Sequence, residues 1–489
     1  MKTIITKPLV IAAGFALSLL SGLPVSAEEY TEKTVGDFTV HEYSTYVEIA
    51  KYNNKEATSV TIPAEIDGLP VISILGGRWD GDSQTPFGNS QIESVVFPDT
   101  LISIGQYAFS KSALKTLDIP DSVQDIKRSA FANCTNLTSV KLPNSMKTVP
   151  AECFLNCSAL NQIQYSEHLT TIGNYAFKNT AITELILPET VKTIEYGAFY
   201  HCEKLQTAKL PQKLESLNSG VLSSDGAFEG CIALKEIYIP KSTIIEREAF
   251  AGCSALEKLT IEEGARNQNA VFDGCKSLKE VVIPASFKSC PSFNNCTSLE
   301  SVTFSDGVAT TGSFQNCINL TEVDLPESVA EFGNVGLTAS FQNCAKLKRI
   351  TIRNPKCRIN DSGSSICNYT LNGTPYFNGT IYGEENSTAQ SYAEKYGYRF
   401  AVIGSEPEFL LGDYNDDSKV DVEDAQAVLR AYTASLSGKA IQMTERQLHS
   451  GNVNGDQQVD VADAQMILLY YVKNHVAGNP TDWDALLKS

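Results

Sequence analysis

Along most of this chain, apolar residues recur in a phrase about 22 residues long. It reads "LKTLDIPDSVQDIKRSAFANCTN" at 114–136, "LTSVKLPNSMKTVPAECFLNCSA" at 137–159 and "LKEIYIPKSTIIEREAFAGCSA" at 234–255. Copies open at Ile92, Leu114, Leu137, Leu160, Ile182, Leu205, Leu234, Leu256, Leu278, Leu299, Leu320 and Leu347, most of them 21 to 23 residues apart and two longer. In "LKTLDIP", Leu117 and Ile119 alternate with Thr116 and Asp118, the two-residue period of a strand with one buried face. Pro120 ends that strand because it has no N–H to offer a ladder. Val123 and Ile126 form a second apolar pair, and Ala130 and Phe131 follow. No such unit buries its apolar side alone, so the period predicts a solenoid in which each coil stacks on the next. Phe109, Phe131, Phe154, Phe177, Phe199, Phe228, Phe250, Phe272, Phe293, Phe314 and Phe341 then form one continuous aromatic spine.

Nine cysteines share one position of the phrase: Cys134, Cys157, Cys202, Cys231, Cys253, Cys275, Cys296, Cys317 and Cys344. Equivalent residues of neighbouring coils stand roughly 4.8 Å apart, whereas a disulfide holds its Cβ atoms about 3.8 Å apart. The expectation is a ladder of buried free thiols. A metal or redox site would need convergent ligands, and the five histidines (His41, His168, His201, His449 and His475) are scattered. Cys153, Cys290, Cys357 and Cys367 lie off the ladder, and a Cys357–Cys367 bridge is left open.

The outward columns of the strands run from Ser94 to Arg349 and from Val96 to Thr351. Tyr238 is their one aromatic, placed beside Ile186 and Val282 among charged neighbours. A sugar-binding face would carry several flat aromatic platforms. The strand face is therefore read either as protein-binding, centred on Tyr238, or as merely solvated.

The recurring "AFxxCxxLxxVxLPxSVxxI" resembles the BspA-like class of bacterial leucine-rich repeats over about residues 35–403. That resemblance implies a secreted or cell-surface protein concerned with adhesion and protein binding. The repeats are assigned to 58–375. Before them, "FTVHEYSTYVEIAKY" (38–52) alternates as short strands within an N-terminal cap, 28–57. After them, "NSTAQSYAEKYGYRFAVI" (386–403) reads as a capped helix, a stop at Gly397 and a last strand, closing a C-terminal cap, 376–403. At the start of the chain, Lys2 and Lys7, the apolar run from Leu9 to Leu20 and the small residues Val25-Ser26-Ala27 read as a signal peptide, 1–27. An uncleaved anchor is the alternative, but it needs about 20 apolar residues and this run is shorter. With no second hydrophobic span, the mature chain is expected to be soluble and exported. Its net charge of −18 argues against a nucleic-acid partner.

Two oxygen-rich loops follow: "GDYNDDSKVDVEDAQ" (412–426) and, thirty-nine residues later, "GNVNGDQQVDVADAQ" (451–465). Calcium takes six to eight oxygens, drawn in an EF-hand from loop positions 1, 3, 5, 7, 9 and 12. Loop one supplies Asp413, Asn415, Asp417, the Lys419 carbonyl, Asp421 and Asp424. Loop two supplies Asn452, Asn454, Asp456, the Gln458 carbonyl, Asp460 and Asp463. Two calcium ions are expected, the second held more weakly because Asn452 replaces a carboxylate. Either loop alone could be a solvated acidic turn; their matching register argues otherwise. Val420 and Val459, at position 8, are placed between paired loops. The exit helices carry Ala425, Val428 and Tyr432, and Ala464, Ile467 and Tyr471, at matched offsets. No entering helix is expected before either loop.

Residues 410–476 resemble a type I dockerin, with a linker at 404–409 and a tail at 477–489. The resemblance implies a small all-α calcium-binding module that docks onto a cohesin of a scaffoldin in a cellulosome. It carries cohesin contact over to Val422, Glu423, Leu429, Arg430 and Ala434 in the first repeat, and to Val461, Ala462, Leu468, Leu469 and Lys473 in the second. Leu429 and Leu468 sit at the rim of the core stripe, where packing and partner contact are both open. Ser418 and Gln457 stand where the family has glycine, costing about 1 kcal/mol if the backbone turns left-handed there.

The fold class is thus an α/β, β-rich leucine-rich-repeat solenoid followed by the all-α dockerin. Glycosidases need two carboxylates across a cleft and Ser or Cys hydrolases a positioned base; the repeats and dockerin leave no room for a separate catalytic fold. The reading is a non-catalytic, secreted component of a cell-surface cellulosome engaged in polysaccharide degradation. It has no membrane-inserted segment, a cohesin partner and a protein ligand for the solenoid. The alternatives are a structural spacer, or an accessory to or inhibitor of a polysaccharide-degrading hydrolase.

Overall fold

The computed structural model describes residues 29–77, 85–219, 225–268, 271–332, 340–371, 374–405, 410–417, 419–437, 443–454, 456, 458–478 and 481–487. The signal-peptide reading of 1–27 lies outside them. The chain divides into two compact units at Tyr398/Arg399.

The first unit is a β-solenoid of about 14 turns. It opens with an antiparallel meander, Thr31–Val35, Phe38–Glu42 and Val47–Tyr52, whose last strand pairs in parallel with Leu69–Ile74. From there the coils repeat one plan. A strand such as Thr116–Asp118 pairs in parallel with Ser139–Lys141, which pairs with Gln162–Gln164. Beyond the proline turn a shorter strand does the same, as in Thr148–Val149, Thr171–Ile172 and Thr193–Glu195. The third side is the turn that carries the phenylalanine. Its N–H donates to the carbonyl just before the phenylalanine of the next coil: Phe109 to Ala130 at 2.8 Å, Phe131 to Cys153 at 3.1 Å and Phe154 to Ala176 at 2.9 Å. Cys153 therefore stands where most coils have alanine, a small residue under the ring.

The spine is continuous and longer than the sequence phrase predicts. From Phe87 to Phe341, consecutive rings stack with centroids 4.7 to 5.8 Å apart and planes within 15°. Offset stacking of this kind adds about 0.5–1.5 kcal/mol per pair beyond burial. Two residues after each phenylalanine the backbone turns left-handed, with φ of 62° at Asn133, 59° at Asn156 and 63° at Asn316. Asparagine tolerates that region, and its amide also bonds to the next one along the column. Asn156 donates to Asn133 at 2.9 Å, Asn179 to Asn156 at 2.7 Å and Asn343 to Asn316 at 2.8 Å.

One residue later comes the cysteine ladder. Each of the nine thiols is buried and donates to the carbonyl of the preceding coil's spine phenylalanine, at 3.0 to 3.6 Å. The residue needed is small with one weak donor, which explains the coils that break the pattern. Ser112 and Thr180 occupy the same position, each 3.2 Å from the next sulfur. Cys357 and Cys367 are also free thiols. Burial pushes the Cys202 thiol up to about 11 and the Cys253 thiol up to about 12, so both stay protonated and poorly nucleophilic at neutral pH.

Helix α1 (Thr388–Tyr396) is capped by Ser387, whose Oγ accepts from the Gln390 N–H at 3.2 Å, and ends at Gly397 with φ 70°.

The second unit holds α2 (Val422–Leu436), α3 (Glu445–Gly451), α4 (Val461–Tyr471) and the short α5 (Trp483–Leu487). Helices α2 and α4 pack together over Tyr414, Val420, Ala425, Val428, Ala431, Val453, Val459, Ala464 and Ile467. Both position-8 valines belong to this core. Two expectations change. The third core residue of α2 is Ala431, while Tyr432 is half-exposed; in α4, Met466 and Tyr470 pack on the core and Tyr471 does not. The stripe follows i, i+3, i+6 because the helices meet over a narrow, alanine-rich seam. Second, a helix does enter loop two. Thr444 caps α3 by a reciprocal box with Gln447, the capping signal in "TERQ". The segment read as a tail returns to the unit: Trp483 stacks on Tyr470 with centroids 4.2 Å apart, and Asn474 holds Thr481 through both its amide atoms at 2.8 and 3.0 Å.

Among the described residues, no helix is long and apolar enough to cross a membrane. Thiol titration of unfolded protein, without reductant, is expected to count close to the 13 cysteines of the sequence, and reductant to leave the melting temperature of the folded protein unchanged. A marked loss of stability on reduction would contradict the ladder.

Candidate functional site

The two loops of the second unit share one internal wiring. In loop one the Asp424 carboxylate, at the first turn of α2, accepts the N–H of Asn415 and of Asp421, both at 2.9 Å. In loop two the Asp463 carboxylate, at the first turn of α4, accepts those of Asn454 at 3.3 Å and Asp460 at 2.9 Å. Loop positions 5 and 7 repeat as well. Asp417 N–H donates to Asn415 and Lys419 N–H to Asp417, while Asp456 N–H donates to Asn454 and Gln458 N–H to Asp456, all at 2.9 Å. Asp421 and Asp460 cap the two helices, accepting from Glu423 at 2.8 Å and Ala462 at 2.7 Å. Sequence spacing alone thus folds into the same polar cage twice. The position-6 residues Ser418 and Gln457 lie outside the described residues.

Electrostatically the cages are costly as they stand. Asp413 and Asp424 are buried, and one oxygen each of Asp413, Asp417 and Asp424 lies within 4.8 Å of the others. Burial, followed by the charges of Asp413 and Asp417, pushes the Asp424 carboxyl up to about 6, against the lowering effect of its two N–H donors. Burial also raises Asp463. In loop two, Oδ1 of Asn452 is buried without a hydrogen-bond partner. An orphaned buried acceptor and a converging carboxylate triad, in an all-oxygen donor set, fit a hard divalent cation better than zinc or copper, which favour nitrogen and sulfur.

Most of the side chains assigned to cohesin contact are on the surface. Glu423, Leu429, Arg430, Val461, Ala462, Leu468 and Leu469 are exposed, and Val422, Ala434 and Lys473 are half-buried. Leu429 and Leu468, placed at the rim of the core, are 39% and 42% exposed and stand outside the buried cluster.

The strand face of the solenoid holds Tyr238 at 40% exposure, its hydroxyl donating to Glu262 at 2.5 Å. It does not adjoin Ile186 or Val282. Ile186 pairs with Lys209, and Tyr238 with Thr260, so one polar residue separates the tyrosine from each aliphatic neighbour. Skipping a coil in the column is the reason: residues two copies apart in sequence stand two strand spacings apart in space. Tyr238, Lys209, Glu236, Thr207, Ile186 and Lys258 line a shallow depression of about 350 Å³.

The BspA-type leucine-rich-repeat region matches residues 83–206, 170–290, 223–348 and 270–375. No curated protein matches the chain. Among solved structures, a leucine-rich repeat protein from Bacteroides ovatus is 23% identical with a TM-score of 0.41, over 78% of this chain and 100% of that one. A leucine-rich cell surface protein from Faecalibacterium prausnitzii is 23% identical with a TM-score of 0.37, over 66% of this chain and 95% of that one. The pneumococcal vaccine antigen PcpA is 15% identical with a TM-score of 0.38, over 78% of this chain and 100% of that one. With matches that together run from 83 to 375, more than half of its length, the chain belongs to the BspA-type leucine-rich-repeat family.

Proposed function

We propose that this is a secreted, non-catalytic component of a cell-surface cellulosome, carrying a type I dockerin at 410–476. In this reading the dockerin holds two calcium ions and binds a scaffoldin cohesin, and the solenoid binds a protein through its strand face. The observation that carries the reading is the duplicated wiring, with Asp424 and Asp463 each gathering the N–H groups of loop positions 3 and 9 at the head of an exit helix. Asp413, Asn415, Asp417, the Lys419 carbonyl, Asp421 and Asp424 would hold the first ion. Asn452, Asn454, Asp456, the Gln458 carbonyl, Asp460 and Asp463 would hold the second. A bound cation offsets the repulsion within each cage and lets α2 and α4 present Leu429, Leu468 and Leu469 to the partner. Family membership and the polar strand face support recognition rather than catalysis by the solenoid.

Chelation is expected to lower both helical circular dichroism and cohesin binding, and added calcium to restore them. Cohesin binding that persists in excess chelator would remove the dockerin reading. Calorimetry should find loop two weaker than loop one, with Asp460→Ala and Asp413→Ala isolating each site in turn. Asn452→Asp, which restores a carboxylate, is expected to tighten the second site by about tenfold, since charge count tunes such loops. On the solenoid, Tyr238→Ala should weaken a captured protein partner by ~2 kcal/mol, as loss of an aromatic anchor does, while leaving cohesin binding intact. Full affinity in a folded variant would move the site elsewhere.

A further inference from the structure

Two neighbouring turns on the phenylalanine side of the solenoid gather aromatic rings close against the backbone. The Tyr175 ring fills the space that a Cβ on Gly197 would take, 2.3 and 2.4 Å from two ring carbons. One coil further, the His201 imidazole turns its face to Gly230, where a Cβ would stand 3.0 Å from three ring atoms. Glycine at these two places lets each ring lie over the next coil. Tyr196 meets Tyr175 edge-on at 5.2 Å, and Tyr200 lies 4.5 Å from His201, centroid to centroid. Hydrogen bonds fix the arrangement: Tyr175 donates to Asp225 at 2.9 Å, and Asn174 donates to the Tyr196 hydroxyl at 2.6 Å. All four rings are half-buried.

We propose that the patch of Tyr175, Tyr196, Tyr200 and His201 binds a neutral polysaccharide chain. A sugar ring has an apolar C–H face and a rim of hydroxyls. Recognising it takes flat aromatic surface with a few fixed polar groups around it, the usual composition of small-ligand sites. Here the rims are Glu203, 3.4 Å from His201, together with Asp225 and Glu229 on the following coil. These carboxylates accept from hydroxyls and repel an acidic glycan. The Lys178 ammonium lies 4.8 Å from the Tyr175 ring centre and 4.4 Å from that of Tyr200. It holds the place of a ligand over the rings, and its long stem can withdraw. A protein partner is disfavoured because charges interrupt the apolar surface at every edge. This site stands on the opposite logic from the strand face, where Tyr238 is isolated, and does not rest on the cohesin reading.

Affinity electrophoresis of the mature full-length chain tests it, with xylan, mixed-linkage β-glucan or starch in the gel and polygalacturonate as the acidic control. At least one neutral polymer should retard the protein, and polygalacturonate should not. Tyr200→Ala should weaken the retardation tenfold or more, whereas Lys178→Ala should preserve or strengthen it. If Tyr200→Ala fails to fold, Tyr200→Leu keeps the volume without the flat face and makes the same test. Cohesin binding, measured alongside, should be unchanged in every variant. No retardation by any neutral polymer, retardation by polygalacturonate alone, or full affinity in folded Tyr200 variants would overturn the proposal.

Discussion

A single coil of about 22 residues cannot enclose its own apolar side, and everything in the solenoid follows from that constraint. Burial comes only from the neighbour, so each coil must repeat the last closely enough to stack on it. The phenylalanine spine is the plainest outcome: rings from Phe87 to Phe341 lie within 15° of parallel because each is the floor of the next. The same constraint governs the polar groups. A turn packed between two coils has carbonyls that water cannot reach, and an unsatisfied buried acceptor costs about 1–3 kcal/mol. The cysteine thiols answer those carbonyls one coil at a time, while Ser112 and Thr180 keep the column polar where the cysteine is absent. Chemistry that looks redox-active in composition is here a hydrogen-bond donor of suitable size.

The two units solve opposite problems. In the solenoid, apolar stacking is sufficient and polar groups are arranged to do no harm. In the C-terminal unit the apolar cluster is small, nine buried residues led by alanine and valine, and three carboxylates, Asp413, Asp417 and Asp424, converge beside it. If the proposed calcium ions bind, their occupancy of the loops would control how much of that core forms. Under the proposed function, attachment through that unit would depend on an ion, while recognition along the solenoid would not.

The coils were legible in the sequence because stacking enforces a strict period, and strand register, spine and ladder all follow from that one number. The shared wiring of the two loops was legible for a related reason, since the same oxygen-bearing residues recur in matched register. What the sequence concealed were relations across coils. That Tyr175 reaches Asp225 over Gly197 joins three copies of the phrase, and no column read singly contains it. Tyr238 failed in the reverse direction, since residues prominent in a column stand two strand spacings apart. The helix entering loop two is only seven residues long, and its one local signal is the capping pair Thr444 and Gln447, beside a much stronger run of loop oxygens.

The shared core gives the two loops a common fate. Tyr414 and Val420 come from loop one, Val453 and Val459 from loop two, and all four pack in the same cluster with Val428 and Ile467. If either loop opens, two of the nine buried residues of the cluster leave, and the remaining apolar side chains lose part of the small surface that covers them. The Gly412 N–H bonds to the Ser450 carbonyl at 2.7 Å, tying the start of one loop to the helix that enters the other. Trp483 adds a third strap, lying against Gly412 while stacking on Tyr470. With so little core to divide, neither half is a stable unit alone. The internal repetition of the sequence therefore does not make two independent modules. It makes one cooperative body whose halves must be ordered together.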